Sequence, residues 1–205
     1  MANVAAVVLA AGKSERMGQP KALLNFHGRS FLQHICAEIA ASQLTECVVV
    51  LGHQAKMIQN RAAGVPARFE FNRQYEQGQL SSLLCGLKSL PLSSLDGAML
   101  FLVDHPEVNR QLIDSLLTRF SQKRCALVIP VFGGRKGHPV IFGARTFGDL
   151  LAAPPEQGAV FVVRKYRDET EYLEVQEPGV LVDVDTPEDY RSLLAAQSTE
   201  ETTKP

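Results

Sequence analysis

Three cations crowd the segment that follows the first apolar run. It reads Leu9-Ala10-Ala11-Gly12-Lys13-Ser14-Glu15-Arg16-Met17-Gly18-Gln19-Pro20-Lys21. Small residues let a backbone approach a ligand closely, and Gly12 permits a tight turn. N–H groups exposed in such a turn bind phosphate oxygens, and Lys13, Arg16 and Lys21 supply the charge that a triphosphate needs. A solvated basic turn between strand and helix would use the same residue types, so the loop alone leaves both readings open. Spacing excludes two familiar phosphate-binding patterns. A Walker A loop ends as Gly12-Lys13-Ser14 does, but its leading glycine position holds Val7. A dinucleotide fingerprint needs glycine two places after Gly12, where Ser14 stands.

Carboxylates form the second group. Asp104 directly follows the apolar run Ala98–Val103 and precedes His105-Pro106. It suits a helix cap for the segment from Val108, or a ligand for a hard cation, since Mg²⁺ takes one or two carboxylates plus phosphates. Near the other end, Val180-Leu181-Val182-Asp183-Val184-Asp185 reads as a last strand. Its alternation places Leu181, Asp183 and Asp185 on one face. Two acids converging there call for a compensating cation or solvent. Thr186-Pro187-Glu188-Asp189 has the form of a helix start, with Thr186 at the N-cap, Pro187 at N1 and Asp189 at N3. That leaves Asp183 and Asp185 for chemistry.

His105 and His138 each lie beside proline in a loop near these groups. They are candidates for contact with a phosphate or acceptor, or turn histidines satisfied by backbone. His27, His34 and His53 have no supporting constellation, and no zinc spacing is present.

Elements must carry these residues to one place. Val4–Ala10, Cys47–Leu51, Ala98–Val103 and Ala126–Val131 are continuous apolar runs, with further short strands expected near Arg68–Phe71, His138–Phe142 and Tyr172–Val175. Helical patterns cover Ser30–Ala41, Lys56–Ala63, Leu80–Leu90, the Leu112–Phe120 spacing, Phe147–Ala152, Gln157–Arg164 and a segment from Pro187. Buried strands alternating with helices indicate an α/β fold with a mainly parallel sheet covered on both faces. Ligands of such sheets gather beyond the carboxyl ends of the strands, which is where Gly12 and Asp104 fall.

The bulk numbers agree with one globular domain. The chain has 205 residues, 45% hydrophobic and 21% charged, with a formal net charge of −1. A near-neutral balance offers no broad footprint for nucleic acid. Cys36, Cys47, Cys85 and Cys125 are scattered without a C-x-x-C pair, as expected of reduced thiols in a cytoplasmic protein. Val4–Ala11 is too short to span a bilayer and lacks a basic flank, so no membrane partner is expected. The domain is expected over 1–197, followed by a polar, frayed tail over 198–205.

In combination these residues resemble the MobA-like NTP transferases, and within them the molybdenum cofactor cytidylyltransferase branch. The resemblance rests on Leu9-Ala10-Ala11-Gly12…Arg16-Met17-Gly18…Lys21, Gly78…Ser81-Ser82-Leu83, Asp104-x-Pro106, Gly137-His138-Pro139 with Phe142-Gly143, and Asp183-x-Asp185-Thr186-Pro187-Glu188-Asp189. It covers nearly the whole chain. It implies a Rossmann-like three-layer α/β/α nucleotidyltransferase fold. It also implies a nucleotide site made by Leu9, Ala10, Ala11, Gly12, Lys13 and Lys21 with Gly78, Gln79, Ser81 and Ser82. Lys13, Arg16, Lys21 and Asp104 would be the catalytic set. Asp104 and Asp185 would hold Mg²⁺, and His105, His138 and Asp183 would face the acceptor. The position after Asp104, often Gln or Met in relatives, is His105 here.

The implied activity is transfer of CMP from CTP to the phosphate of a molybdopterin-type cofactor, with release of pyrophosphate. CTP is favoured because Leu-Ala-Ala-Gly resembles the cytidylyltransferase form, whereas the guanylyltransferase branch more often has Leu-Ala-Gly-Gly. Two alternatives stand beside it. One is a nucleotidyltransferase for another phosphorylated acceptor, such as a sugar phosphate. The other is a carrier that holds a finished cofactor for a molybdenum hydroxylase apoenzyme.

Overall fold

The computed structural model describes residues 2–202, with side chains described through 197. Strands are β1 (Val4–Ala10), β2 (Asn25–Phe26), β3 (Arg29–Ser30), β4 (Cys47–Leu51), β5 (Arg68–Phe71), β6 (Gly97–Leu102), β7 (Leu127–Phe132), β8 (Arg135–Lys136), β9 (Val140–Gly143) and β10 (Thr170–Glu174). Helices are α1 (Phe31–Ala41), α2 (Ala55–Arg61), α3 (Gln79–Lys88), α4 (Arg110–Lys123), α5 (Phe147–Leu151), α6 (Val160–Lys165) and α7 (Pro187–Thr202).

The main sheet runs β10-β7-β9-β6-β1-β4-β5, with β8 paired to β7. β1 is parallel to both β4 and β6, and β4 to β5. β9 runs antiparallel between β6 and β7, so the sheet is mainly parallel with one reversed strand inside it. The chain leaves β1 toward β4 and β5, then returns to β6 on the other side. The carboxyl end of β1 is therefore a topological switch point, the usual place for a ligand crevice in such sheets.

Pleat alternation splits the core into two layers. Val4, Ala6, Val8 and Ala10 pack with α1 and α4 residues such as Phe31, Leu32, Ile113 and Leu116. Ala5, Val7 and Leu9 face Leu80, Leu83 and Leu87 of α3, with Leu150 and Val162 further along. Helices thus cover both faces, the three-layer arrangement expected from continuous apolar strands. α3 lies so close to the sheet that a Cβ on Gly86 would come within 2.5 Å of Val7 Cγ1 and 2.9 Å of Val50 Cγ2.

Local capping fixes the helices that frame the site. Ser30 accepts from the Gln33 backbone N–H and Gln33 returns a bond to Ser30, a complete capping box for α1. At α7, Thr186 Oγ1 accepts from Asp189 N at 3.2 Å while Asp189 Oδ2 accepts from Thr186 N at 2.7 Å. The helix start expected at Thr186 is present.

One expected element is different. Residues 180–185 form no strand: Pro178–Leu181 is a 3₁₀ turn, and the rest is extended chain outside the sheet. Its backbone groups bond to loops instead, Val180 O accepting from His138 N at 2.9 Å and Val184 N donating to Asp104 O at 2.9 Å. The single-face alternation of Leu181, Asp183 and Asp185 fails with it, since Asp183 is exposed while Asp185 is partly buried. α7 continues through Thr202 into the segment expected to be a frayed tail, and residues 203–205 of that tail lie outside the described residues.

Candidate functional site

The residues after β1 fold on themselves before the chain turns into a short 3₁₀ helix at Lys21–Leu23. Ser14 O accepts from Met17 N and Gly18 N, and Ser14 Oγ accepts from Lys21 N at 3.1 Å. Met17 is buried and anchors the loop. Gly12 has open space around it and an unstrained backbone. Lys21 is 8% exposed, and so deep an ammonium needs partners.

It has two. Lys21 Nζ lies 3.0 Å from Asp104 Oδ2 and also bonds to Asp185, which is bonded in turn by Arg16. Asp104 comes from the end of β6, held to β1 by Val103 N donating to Leu9 O. Asp185 arrives from the 178–185 segment, and its own N–H bonds to Asp189 Oδ2 at 3.1 Å. Burial pushes the Lys21 ammonium down, but Asp104 and Asp185 together outweigh it, and the net shift is upward. The hydrogen bond from Lys21 holds the Asp185 carboxyl below its ordinary value.

Around this cluster is a cavity of about 540 Å³ at the carboxyl ends of β1 and β6. The first loop, Lys13, Arg16, Lys21, Asp104 and Asp185 line it on one side; Gly78, Gln79 and Ser82 line it on the other. The location matches the strand-end expectation. Ser81 is not among the lining residues. Its hydroxyl bonds to Gln74 O and Gly78 O and accepts from Asn72 Nδ2, so it shapes the wall from behind.

Three further residues of that wall carry no motif. Asn72 is buried and holds Ser81, Ser82 and the Gln74 N–H with one side chain. Tyr75 and Glu76 line the cavity, and Glu76 reaches Lys13 across its mouth at 2.8 Å. Tyr75 can approach because Gly52 has no side chain, whose Cβ would lie 2.6 Å from Tyr75 Cβ and 2.7 Å from Ala11 O. No pattern in the sequence marks them, because what they do depends on this approach.

His105, His138 and Asp183 lie beside the cavity rather than in its lining. The two imidazoles are 4.9 Å apart between centroids, and both Nδ1 atoms are buried without a partner. Burial, reinforced by His105, pushes His138 down to about 4. Burial also lowers His105, and it raises Asp183 together with the nearby charge of Asp104. Asp104, His105 and Asp183 each offer a donor atom within 4.8 Å of the others. Asp104 thus faces two acids, Asp185 through Lys21 and Asp183 beside His105. Asp104 and Asp185, which offer only oxygens, could hold a hard cation, since Mg²⁺ avoids nitrogen donors.

No helix among the described residues is long and apolar enough to cross a membrane. The cysteines among them are free thiols.

The chain is similar to known proteins over most of its length. Residues 6–172 match the MobA-like NTP transferase domain. A probable molybdenum cofactor guanylyltransferase of Bacillus cereus (strain AH187) is 30% identical over 136 residues, 66% of this chain and 66% of that protein. The match thus spans slightly less than two thirds of that relative's length. The crystal structure of Rv0371c from Mycobacterium tuberculosis H37Rv superposes with a TM-score of 0.82 at 26% identity, covering 95% of this chain and 98% of that one. Its complex with manganese gives 0.80 at 25% identity, covering 95% and 99%. With residues 6–172 matching its model, this protein belongs to the MobA-like NTP transferase domain family.

Proposed function

We propose that this protein transfers a nucleoside monophosphate from an NTP to a phosphorylated small-molecule acceptor, with CTP as donor and a molybdopterin-type cofactor as acceptor. The observation that carries the reading is the convergence of a glycine loop, three cations and two carboxylates on one crevice. A carrier for a finished cofactor would need the crevice but not the paired acids.

In the reaction a phosphate oxygen of the acceptor attacks the α-phosphorus of the NTP. The bond to the bridging oxygen breaks, and pyrophosphate leaves with the electron pair. The attacking oxygen is already anionic, so no strong general base is needed. The barrier lies in bringing two anions together and in the charge on the transferring group. Lys13 and Arg16 flank the loop where the phosphates would lie, and Lys21 stands deepest, next to Asp104. Loop N–H groups near Gly12 would orient the chain of phosphates.

The residues fit a hard divalent cation. One ammonium already bonds both Asp104 and Asp185, so the two carboxylates address a single positive charge. Asp104 and Asp185 would hold Mg²⁺, which when bound supplies further charge neutralisation at the phosphates. The manganese complex of the mycobacterial relative supports a divalent metal. His105, His138 and Asp183 are assigned to the acceptor side, because they flank the cavity beyond Asp104. The free thiols suit a cytoplasmic setting, where a molybdenum hydroxylase apoenzyme would receive the product.

The Bacillus relative is a probable guanylyltransferase, so GTP is the competing donor. Pyrophosphate release in Mg²⁺ with CTP, GTP, ATP or UTP, with and without molybdopterin, separates the readings. Molybdopterin-dependent release preferring CTP is the expected result. A preference for GTP overturns the donor assignment alone. Silence with every NTP, alongside tight binding of a finished dinucleotide cofactor, favours the carrier.

A further inference from the structure

Asp185 belongs to no strand, so something other than a ladder must set its distance from Asp104. Three contacts of its segment bear on that distance. Val180 O accepts from His138 N at 2.9 Å, Gly179 packs on Glu107, and Val184 N donates to Asp104 O at 2.9 Å. The last bond ties the backbone of one acid's segment to the other acid directly.

At two of these places there is no room for a side chain. A Cβ on Gly137 would lie 2.4 Å from Val180 O and 2.8 Å from Val180 Cβ. A Cβ on Gly179 would lie 2.7 Å from Glu107 Cβ. Neither glycine has a left-handed backbone, so clearance is the reason for glycine here. Gly133 and Gly134, in the turn between β7 and β8, are the reverse: positive φ and open space. Gly137 is also fixed from behind, its N–H donating to Pro130 O of β7 at 2.8 Å. With the sheet on one side, the strap carrying Asp185 is what must yield to any added atom.

Resting on the nucleotidyl-transfer reading, we propose that Gly137 is a positioning residue that sets the depth of the 178–185 strap and thereby the placement of Asp185 opposite Asp104. Moving Val180 O from 2.4 Å to the 3.4 Å of an ordinary contact displaces the strap by the difference, 1.0 Å. Misplacement on that scale costs about 10²-fold in turnover. Gly179, packed on Glu107, bears on the same depth.

The test is Gly137→Ala in the full-length protein, with Gly86→Ala as a control that overpacks the core far from the strap. Crystal structures should show Asp185 drawn away from Lys21 in Gly137→Ala while the Lys21–Asp104 contact persists. Mn²⁺ binding followed by EPR should weaken about tenfold, the scale for groups that orient ligands, with metal-free nucleotide affinity unchanged. Gly86→Ala should lower Tm without moving Mn²⁺ affinity. Wild-type Mn²⁺ affinity with Asp185 in place overturns the proposal, as does equal weakening in Gly86→Ala. Should Gly137→Ala fail to fold, Gly179→Ala must show the same displacement and weakening, and its failure to do so overturns the proposal. The displacement is read whether or not the wild type turns over any nucleotide, so failure of the transferase reading is seen separately in the pyrophosphate assay.

Discussion

The Lys21 ammonium stands 3.0 Å from Asp104 Oδ2, and the same nitrogen bonds Asp185. One side chain therefore serves as counter-ion to both acids and as part of the cationic wall. A metal ion held by these oxygens would compete with Lys21 for them. Lys21→Ala should lower turnover about 10²- to 10³-fold, yet bind free Mn²⁺ more tightly than the wild type. Titration calorimetry checks this, and weaker Mn²⁺ binding in the variant would sink the competition.

Gly12 offers a cleaner probe of the nucleotide. An added Cβ meets nothing within 4 Å, and the backbone there is unstrained. Gly12→Ala should hold stability within about 0.5 kcal/mol, as for a surface change. Nucleotide affinity should fall about tenfold, or about 1.4 kcal/mol, because the methyl occupies the approach of the phosphates. Unchanged affinity by fluorescence titration would place the phosphates elsewhere.

The core side of the same layer behaves oppositely. Gly86→Ala drives a methyl into Val7 and Val50 and should cost about 1–3 kcal/mol by overpacking. Urea unfolding measures this, and the folded fraction should keep its kcat. A neutral result would mean that α3 lifts off the sheet without penalty.

His138 predicts a pH dependence. Its folded value is about 4, lowered mainly by burial, against about 6.5 in an unfolded chain. Between those values the unfolded state binds the proton that the native state refuses. Stability is therefore full above about pH 6.5 and declines as pH falls toward about 4. Its Nδ1 has no partner to lose, so His138→Phe should leave stability near pH 7 little changed and flatten that decline. A slope unaltered between pH 4 and 6.5 in thermal scans would assign the protonation to another group.

Much of this is legible in the sequence. Continuous apolar runs announced β1, β4, β6 and β7, and the strand-end rule pointed to Gly12 and Asp104. What remained hidden depended on partners distant in sequence. The alternation of Val180 to Asp185 is a fair strand pattern, but loop atoms satisfy its backbone in place of a ladder. The short run that became β9 reads alike in either direction, so its reversal was invisible. Ser81 and Ser82 are neighbours of identical type, yet one hydroxyl faces backbone and the other lines the crevice. Asn72, Tyr75 and Glu76 sit in a segment whose role exists only once Gly52 admits it to the first loop.

The span between Lys21 and Asp185 also bears on synthesis. They are 164 positions apart, which a ribosome moving at about 5–20 residues per second covers in about 8–33 seconds. Throughout that interval the emerging chain holds Lys21 and Arg16 before their shared acid exists. Until the strap is made, Asp104 is the carboxylate left to face Lys21, and the crevice sets Lys13, Arg16 and Lys21 against Glu15, Glu76 and Asp104. The strap thus closes last, bringing Asp185 to Lys21 and Arg16 in a crevice whose other charges already balance.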